Sequence, residues 1–294
     1  VHMMTECFGN PSTTYKLGRE AKAAVDKARG QIAGALGCRP DEVYFTSCGS
    51  EGDNWALISG ARSMRRRGKH IISSAVEHDA VRKSLDFLEK EGYEITRLQP
   101  DGAGAIPLER VRAALRPDTI LVSLMMVNNE TGAVMPIADM VKATRRAAPL
   151  ALFHTDAVQA AGHIKIDVKA ENIDMLSLSA HKFHGPMGIG MLYAKKGINL
   201  YTLIEGGAQE RGKRAGTENV PAIMGMAAAF KVANENIDKN FGYVKSLRDK
   251  LAQGLSKIPH SKINGDISKG LAGTLNMCFE GIEGESLLLL LDDR

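Results

Sequence analysis

Short apolar runs alternate along this chain with stretches of helical spacing, and that alternation limits the folds open to it more than any other feature. "EVYFTS", "KHIISS", "YEITRLQ", "TILVSLMMV", "LALFHTD" and "IDMLSLS" read as strands. "YKLGREAKAAVDKARGQIAGALG", "SEGDNWALISGAR", "DAVRKSLDFLEKEG" and "ADMVKATRRAA" carry apolar residues at helical spacing. The run from Thr119 to Val127 is continuously apolar, as a strand covered on both faces must be. Strands separated by helices predict a mainly parallel α/β sheet covered by helices.

The character changes after about residue 221. A long helical region, "AIMGMAAAFKVANENIDKNFGYVKSLRDKLAQGL", leads into "AGTLNMCFEG" and "GESLLLLL". The expected organisation is a large α/β domain over residues 15–220 and a smaller α+β domain over 221–294. Residues 1–14 read as an N-terminal remnant, the tail of a helix and then a turn. The chain stops straight after a helical pattern, so the expectation is that residues are missing at both ends.

Composition excludes several functions. Lys and Arg number 38 against 34 for Asp and Glu, a surplus too small to imply a nucleic-acid partner. The densest basic patch, "RSMRRRGKH", reads as a solvated helix end. The longest apolar run, Leu287 to Leu291, falls far short of a membrane span, and no export signal opens the chain, so a cytoplasmic protein is expected. Cys7, Cys38, Cys48 and Cys278 are scattered without a CxxC pair, which argues against a zinc site or a disulfide framework.

In open α/β sheets ligands sit outside the carboxyl ends of the strands. The residues that follow the strands here are polar and chemically specific. Ser50, His78, Asn129, Asp156, Gln159, Ser179, His181 and Lys182 are all expected on one rim. Taken singly, each has a plain structural reading: Ser50 a helix N-cap, His78 a surface histidine, Asp156 a turn residue, Lys182 a rim charge. Their convergence on one edge is what those readings leave unexplained. Gly49 and Ser50 fall where a helix N-terminus offers free N–H groups to an anion. Asp156 could pair with a ring N–H, and Lys182 supplies an amine that condenses with a carbonyl. A ligand with one phosphate, one ring nitrogen and one aldehyde satisfies the set, and pyridoxal 5'-phosphate is that ligand.

Two motifs mislead. "GAQERGKR", from Gly207 to Arg214, has P-loop spacing, but Arg214 stands where a magnesium-binding Ser or Thr is needed. "HKFH" places His181 and His184 three apart, yet no carboxylate or cysteine completes a metal set.

The segments "FGNPS", "GREAK", "FTSCGSEGDN", "EHDAV", "NNETG", "DAVQ", "SAHKFHGPMGIG", "GGAQERGKRAGTENV" and "GTLN…FEGIEGESLLL" occur in that order. Together, over nearly the whole chain, they closely resemble the NifS/IscS-type cysteine desulfurases. These are fold-type I pyridoxal-phosphate enzymes of the class V aminotransferase group. The resemblance implies a mainly parallel, seven-stranded-type sheet with helices on both faces. It implies Lys182 and His78 as catalytic residues, Lys182 holding the cofactor covalently and then moving the substrate's Cα proton, and His78 stacking on the pyridine ring. Asp156 would pair with the ring N–H and Gln159 with the phenolic oxygen, and Asn129 would lie near that oxygen and the substrate. Gly49, Ser50, Ser179 and His181 would hold the phosphate. Thr217 would reach the phosphate of a neighbouring subunit, which implies a homodimer.

The activity implied is removal of sulfur from L-cysteine, giving L-alanine and an enzyme persulfide, with an iron–sulfur scaffold or other sulfur acceptor as partner. The family's mobile-loop cysteine, expected soon after Leu291, is not among these residues. Neither are its C-terminal substrate-binding arginine and its N-terminal strand. If these residues are the whole polypeptide, poor cofactor binding or inefficient desulfuration is expected. Cys278 reads as a small core residue. Cys48 stands where the family usually has a small residue, and reads as a packing substitution over a redox or sulfur-accepting role. The rival functions are another class V reaction, such as an aminotransferase or selenocysteine lyase, and a cofactor-binding relative without turnover.

Overall fold

The computed structural model describes residues 2–6 and 8–293, so Cys7 lies outside the described residues. Seven strands form one mixed sheet: β1 (Val43–Thr46), β2 (His70–Ser74), β3 (Glu94–Leu98), β4 (Thr119–Ser123), β5 (Leu152–Asp156), β6 (Met175–Ser179) and β7 (Gly190–Ala194). Their order is β1-β7-β6-β5-β4-β2-β3. Only β7 runs against the rest, pairing antiparallel with both β1 and β6. The expected mainly parallel α/β sheet is therefore present.

Alternation along the strands divides the core in two. Ile72, Val122, Leu176 and Met191 point into one apolar cluster, and their neighbours Ile71, Leu121, Met175 and Leu192 into another. Successive strand side chains face opposite ways, so a strand covered on both faces must be apolar throughout. The first cluster is closed by residues of the helices Lys16–Leu36, Ile137–Ala147 and Val220–Glu235. The second is closed by Gly49–Met64 and Asp79–Lys90. Trp55, fully buried in the second cluster, donates its indole N–H to the Tyr201 carbonyl at 2.7 Å and meets Tyr44 edge to face.

The structure departs from the sequence reading in five places. The strand expected over Thr119–Val127 ends at Ser123, although Leu124 and Met126 still donate backbone bonds to His154 and Asp156. The long helical region breaks at Asn236, whose side-chain amide donates to the Val232 carbonyl, leaving helices Val220–Glu235 and Ile237–Leu255. The strand β7 escaped notice because it follows a glycine-rich turn. The hairpin of β8 (Ser261–Asn264) and β9 (Asn276–Phe279) is a separate two-stranded sheet, and β8 is too polar to read as a strand. Cys278 on β9 is exposed rather than a core residue, its sulfur accepting from the Asn264 amide. Among the described residues no helix is long and apolar enough to cross a membrane.

Candidate active site

A cleft of about 310 Å³ opens at the carboxyl ends of the parallel strands. Its lining comes from the turns after β1 (Cys48, Gly49, Ser50), β2 (His78), β4 (Met125, Asn129), β5 (Asp156, Val158, Gln159) and β6 (Ser179, His181, Lys182), with Asp53 beneath. Gly49, Ser50, His78, Asn129, Asp156, Gln159, Ser179, His181 and Lys182 are thus gathered in one cavity. Thr217 is not: it is exposed and lines a neighbouring hollow with Thr46, Ser47, Gly188 and Glu218.

The anion-binding end is built by backbone. Cys48, with extended φ of −168°, caps the helix Gly49–Met64, and its side chain makes no cap bond. Ser50 therefore sits inside the first turn rather than at the cap, and the first N–H groups of the helix remain open to a ligand. Ser179 Oγ and His181 Nδ1 stand 2.9 Å apart on the facing turn. Burial, and then the charge of Lys182, hold the His181 imidazole below its ordinary pKa.

Two glycines allow this approach. A Cβ on Gly49 would lie 2.6 Å from Val158 Cγ2, and one on Gly190 would lie 2.6 Å from the Cys48 carbonyl carbon and 2.7 Å from the Leu178 oxygen. The second contact is backbone on backbone, so no side chain can swing aside. Gly190→Ala is expected to cost about 1–3 kcal/mol of stability in denaturant unfolding, and to displace the Cys48–Ser50 turn.

The opposite end holds charge. Asp156 ends β5 and is 5% exposed. Burial raises its carboxyl above the ordinary range, while the Val158 N–H, bonded at 2.8 Å, and the charges of His78 and Lys182 oppose that rise. Lys182 lies in the short 3-10 turn Ala180–Phe183, not on the strand, and is exposed. Among the described residues no hydrogen bond or ion pair engages its ammonium. Its carbonyl accepts from His163 Nε2 at 3.0 Å. His78 caps the helix Asp79–Lys90, its Nδ1 accepting from the Ala80 N–H at 3.2 Å, which fixes the ring at the rim.

Sequence reasoning passed over the residues behind these. Asn128, buried, accepts from the Glu130 and Thr131 N–H groups and donates to the Val76 carbonyl, folding "NNETG" so that Asn129 faces outward. Glu77 accepts from Ser74 Oγ at 2.6 Å and from the Met125 N–H at 3.0 Å, tying the end of β2 to the segment beyond β4. Burial pushes its carboxyl up to about 8, against those two hydrogen bonds, and among the described residues its Oε2 has no partner. An acid whose folded pKa is raised costs the folded state progressively above its unfolded value. Relative to Glu77→Gln, the wild type is therefore expected to lose about 1.4 kcal/mol per pH unit from near pH 4.5 to near pH 8, and nothing below. Paired urea titrations across that range read the difference.

The groups present fit pyridoxal phosphate. One cleft offers backbone N–H groups with a hydroxyl and an imidazole for a phosphate, a buried carboxylate for a ring nitrogen, and an uncommitted amine for an aldehyde. Its volume falls at the lower end of the usual range for small-ligand sites.

A mostly parallel α/β sheet with a polar cleft across its strand ends is the architecture of a cofactor-dependent α/β enzyme. The family model for aminotransferase class V matches residues 1–294. The cysteine desulfurase IscS of Methanosarcina thermophila is 49% identical over 291 residues, 99% of this chain and 72% of that protein. The IscS of Clostridium botulinum (strain Hall) is 46% identical over 98% of this chain and 73% of its own length. A solved NifS-like protein superposes with a TM-score of 0.97 at 37% identity, covering 99% of this chain and 80% of that one. The chain therefore belongs to the class V aminotransferase family, within its NifS/IscS cysteine desulfurase group.

Proposed function

We propose that this protein is a pyridoxal-phosphate-dependent cysteine desulfurase, which takes sulfur from L-cysteine and leaves L-alanine. The observation that carries this reading is the cleft itself, where Lys182, Asp156, His78, and the Ser50, Ser179 and His181 group meet. Bound there, pyridoxal phosphate would supply an aldehyde to capture the substrate amine and a ring to accept electrons from Cα. Lys182 would hold the cofactor and move the substrate's Cα proton; its exposed ammonium, without a partner among the described residues, leaves it free to do both. Asp156 would hold the ring nitrogen's proton. His78, fixed by its cap bond, would lie against the ring, and Gln159 and Asn129 would hold the phenolic oxygen and the substrate side. Gly49, Ser50, Ser179 and His181 would take the phosphate.

The partners belong to the same proposal. The solved structure described as SspA in complex with cysteine, 33% identical with a TM-score of 0.84, supports cysteine as substrate. A homodimer, in which Thr217 reaches the neighbouring subunit's phosphate, would account for its position outside the cleft. An iron–sulfur scaffold or another sulfur acceptor would receive the product.

Borohydride reduction of the protein with added pyridoxal phosphate, followed by peptide mass mapping, tests the cofactor reading. A pyridoxyl adduct on Lys182 is expected. Release of alanine and sulfide from L-cysteine, without exchange of keto acids, separates desulfuration from aminotransfer. An unmodified Lys182 in a colourless protein would overturn the proposal.

A further inference from the structure

Asp53 is a carboxyl in the cleft lining to which the reading above gives no task. It stands one helical turn beyond Ser50 and is 1% exposed. Among the described residues its Oδ1 has no hydrogen-bond partner, and His154 Nε2, 3.6 Å away, is beyond hydrogen-bond reach. His154 cannot act as a counter-charge. It is fully buried, its ring nitrogens share hydrogen bonds with Ser123 Oγ at 2.9 Å and Ser177 Oγ at 3.1 Å, and burial holds the imidazole down at about 3.

The charged groups that bear most on Asp53 from the surrounding elements are not cations either. Asp156 comes from β5, Glu77 from the turn after β2 and Cys48 from the turn before the helix, and each opposes a negative charge on Asp53. Burial raises the Asp53 carboxyl furthest, then Asp156, with Ser177 pulling the other way. Two neighbouring buried carboxylates do not both ionise. Asp156 has what Asp53 lacks: a backbone N–H and the positive charge of His78 and Lys182.

The same side chains tie Asp53 to the strand that carries Asp156. Ser177 is the register partner of Asp156 across β5 and β6, and His154 lies two residues before Asp156 on the same face. We propose that Asp53 is a positioning residue: as a neutral acid packed against Ser177 and His154 it leaves Asp156 the single carboxylate for a cationic ring nitrogen, an inference that rests on the pyridoxal phosphate reading.

The test compares Asp53→Asn, which keeps shape and neutrality, with Asp53→Ala, which removes the group. Asp53→Ser replaces alanine should the cavity unfold the protein. Apoprotein is titrated with pyridoxal phosphate by absorbance, and the pH midpoint of the bound cofactor's visible band is recorded. Asp53→Asn is expected to bind within about threefold of wild type with its midpoint unmoved, whereas Asp53→Ala binds at least about tenfold more weakly. In the apoprotein, Asp53→Asn gains stability on the wild type as pH rises above about 4, because the raised acid costs the folded state there.

A midpoint moved by about one pH unit in Asp53→Asn would mean that Asp53 is charged, and would overturn the proposal. Wild-type affinity in Asp53→Ala would overturn the positioning role. A wild type that takes up no cofactor overturns the reading of the cleft and that role with it. A flat stability difference between wild type and Asp53→Asn from about pH 5 to 8 overturns the neutral-acid assignment by itself.

Discussion

Replacing Lys182 by alanine is expected to lower alanine formation from L-cysteine at least about a thousandfold while leaving the fold intact. The amine is the one group in the cleft able both to condense with a carbonyl and to carry a proton. Nothing in the fold depends on it: Lys182 is exposed, its ammonium has no partner among the described residues, and the bond from His163 goes to its backbone carbonyl. Unfolding stability should therefore change by no more than about 0.5 kcal/mol. Lys182→Arg separates charge from chemistry, since a guanidinium keeps the cation but cannot give up its proton. Equal losses in both variants, measured as alanine released with added pyridoxal phosphate, point to the amine. Turnover near wild type in either one would remove Lys182 from the reaction.

Glu210→Ala is expected to cost about 3–5 kcal/mol of stability, because it strands a buried cation. Glu210 and Arg29 form a paired bridge at 2.7 and 2.8 Å, and Arg29 and Glu210 are only 8% and 5% exposed. Glu210 also accepts from the Phe45 N–H at 3.1 Å, and Arg29 donates to the Val43 carbonyl and lies over the Phe45 ring. The pair thus fastens the segment around Gly207–Arg214 to β1. That segment is strained, with Glu210 at φ 43° and Arg211 at φ 61°, and the buried contacts hold it in that shape. Nearby, Arg214 bonds both oxygens of Glu51 in the first turn of the helix Gly49–Met64. Urea unfolding at fixed pH reads the loss. Replacing both partners, Arg29→Met with Glu210→Met, should recover much of it, since neither charge is then left unpaired. A Glu210→Ala loss below about 1 kcal/mol would show that the bridge contributes little.

The strand-end argument worked because of the sheet's polarity. Parallel strands present their carboxyl ends on one edge, so residues chosen only for following a strand fell together: His78 after β2, Asp156 at the end of β5, Lys182 after β6. Residues placed by any other route were missed. Asp53 is one turn inside a helix, and Glu77 is within a turn. In sequence each looks like an ordinary surface acid, and only burial gives it an unusual proton affinity. Asn128 and Asn129 are equivalent on paper, and the fold makes one the scaffold of the turn and the other part of the cleft wall. The segment Gly207–Arg214 has P-loop spacing without the strand and helix that flank a P-loop. Its Glu210 turns inward to Arg29, and the next regular helix starts only at Val220.

What the sequence determined by itself was the alternation of buried strands with amphipathic helices, and from it the edge on which the chemical groups collect. Both depend on side-chain type and spacing over a few residues, which the linear order contains. The tertiary structure alone decided that β7 runs backward between β1 and β6, and that Cys48 rather than Ser50 caps the helix. It alone decided which carboxyls around the cleft lack a cation. Those outcomes depend on desolvation and on neighbours from distant segments, such as His154 and Ser177 beside Asp53, and distance in space is not written in the order of residues.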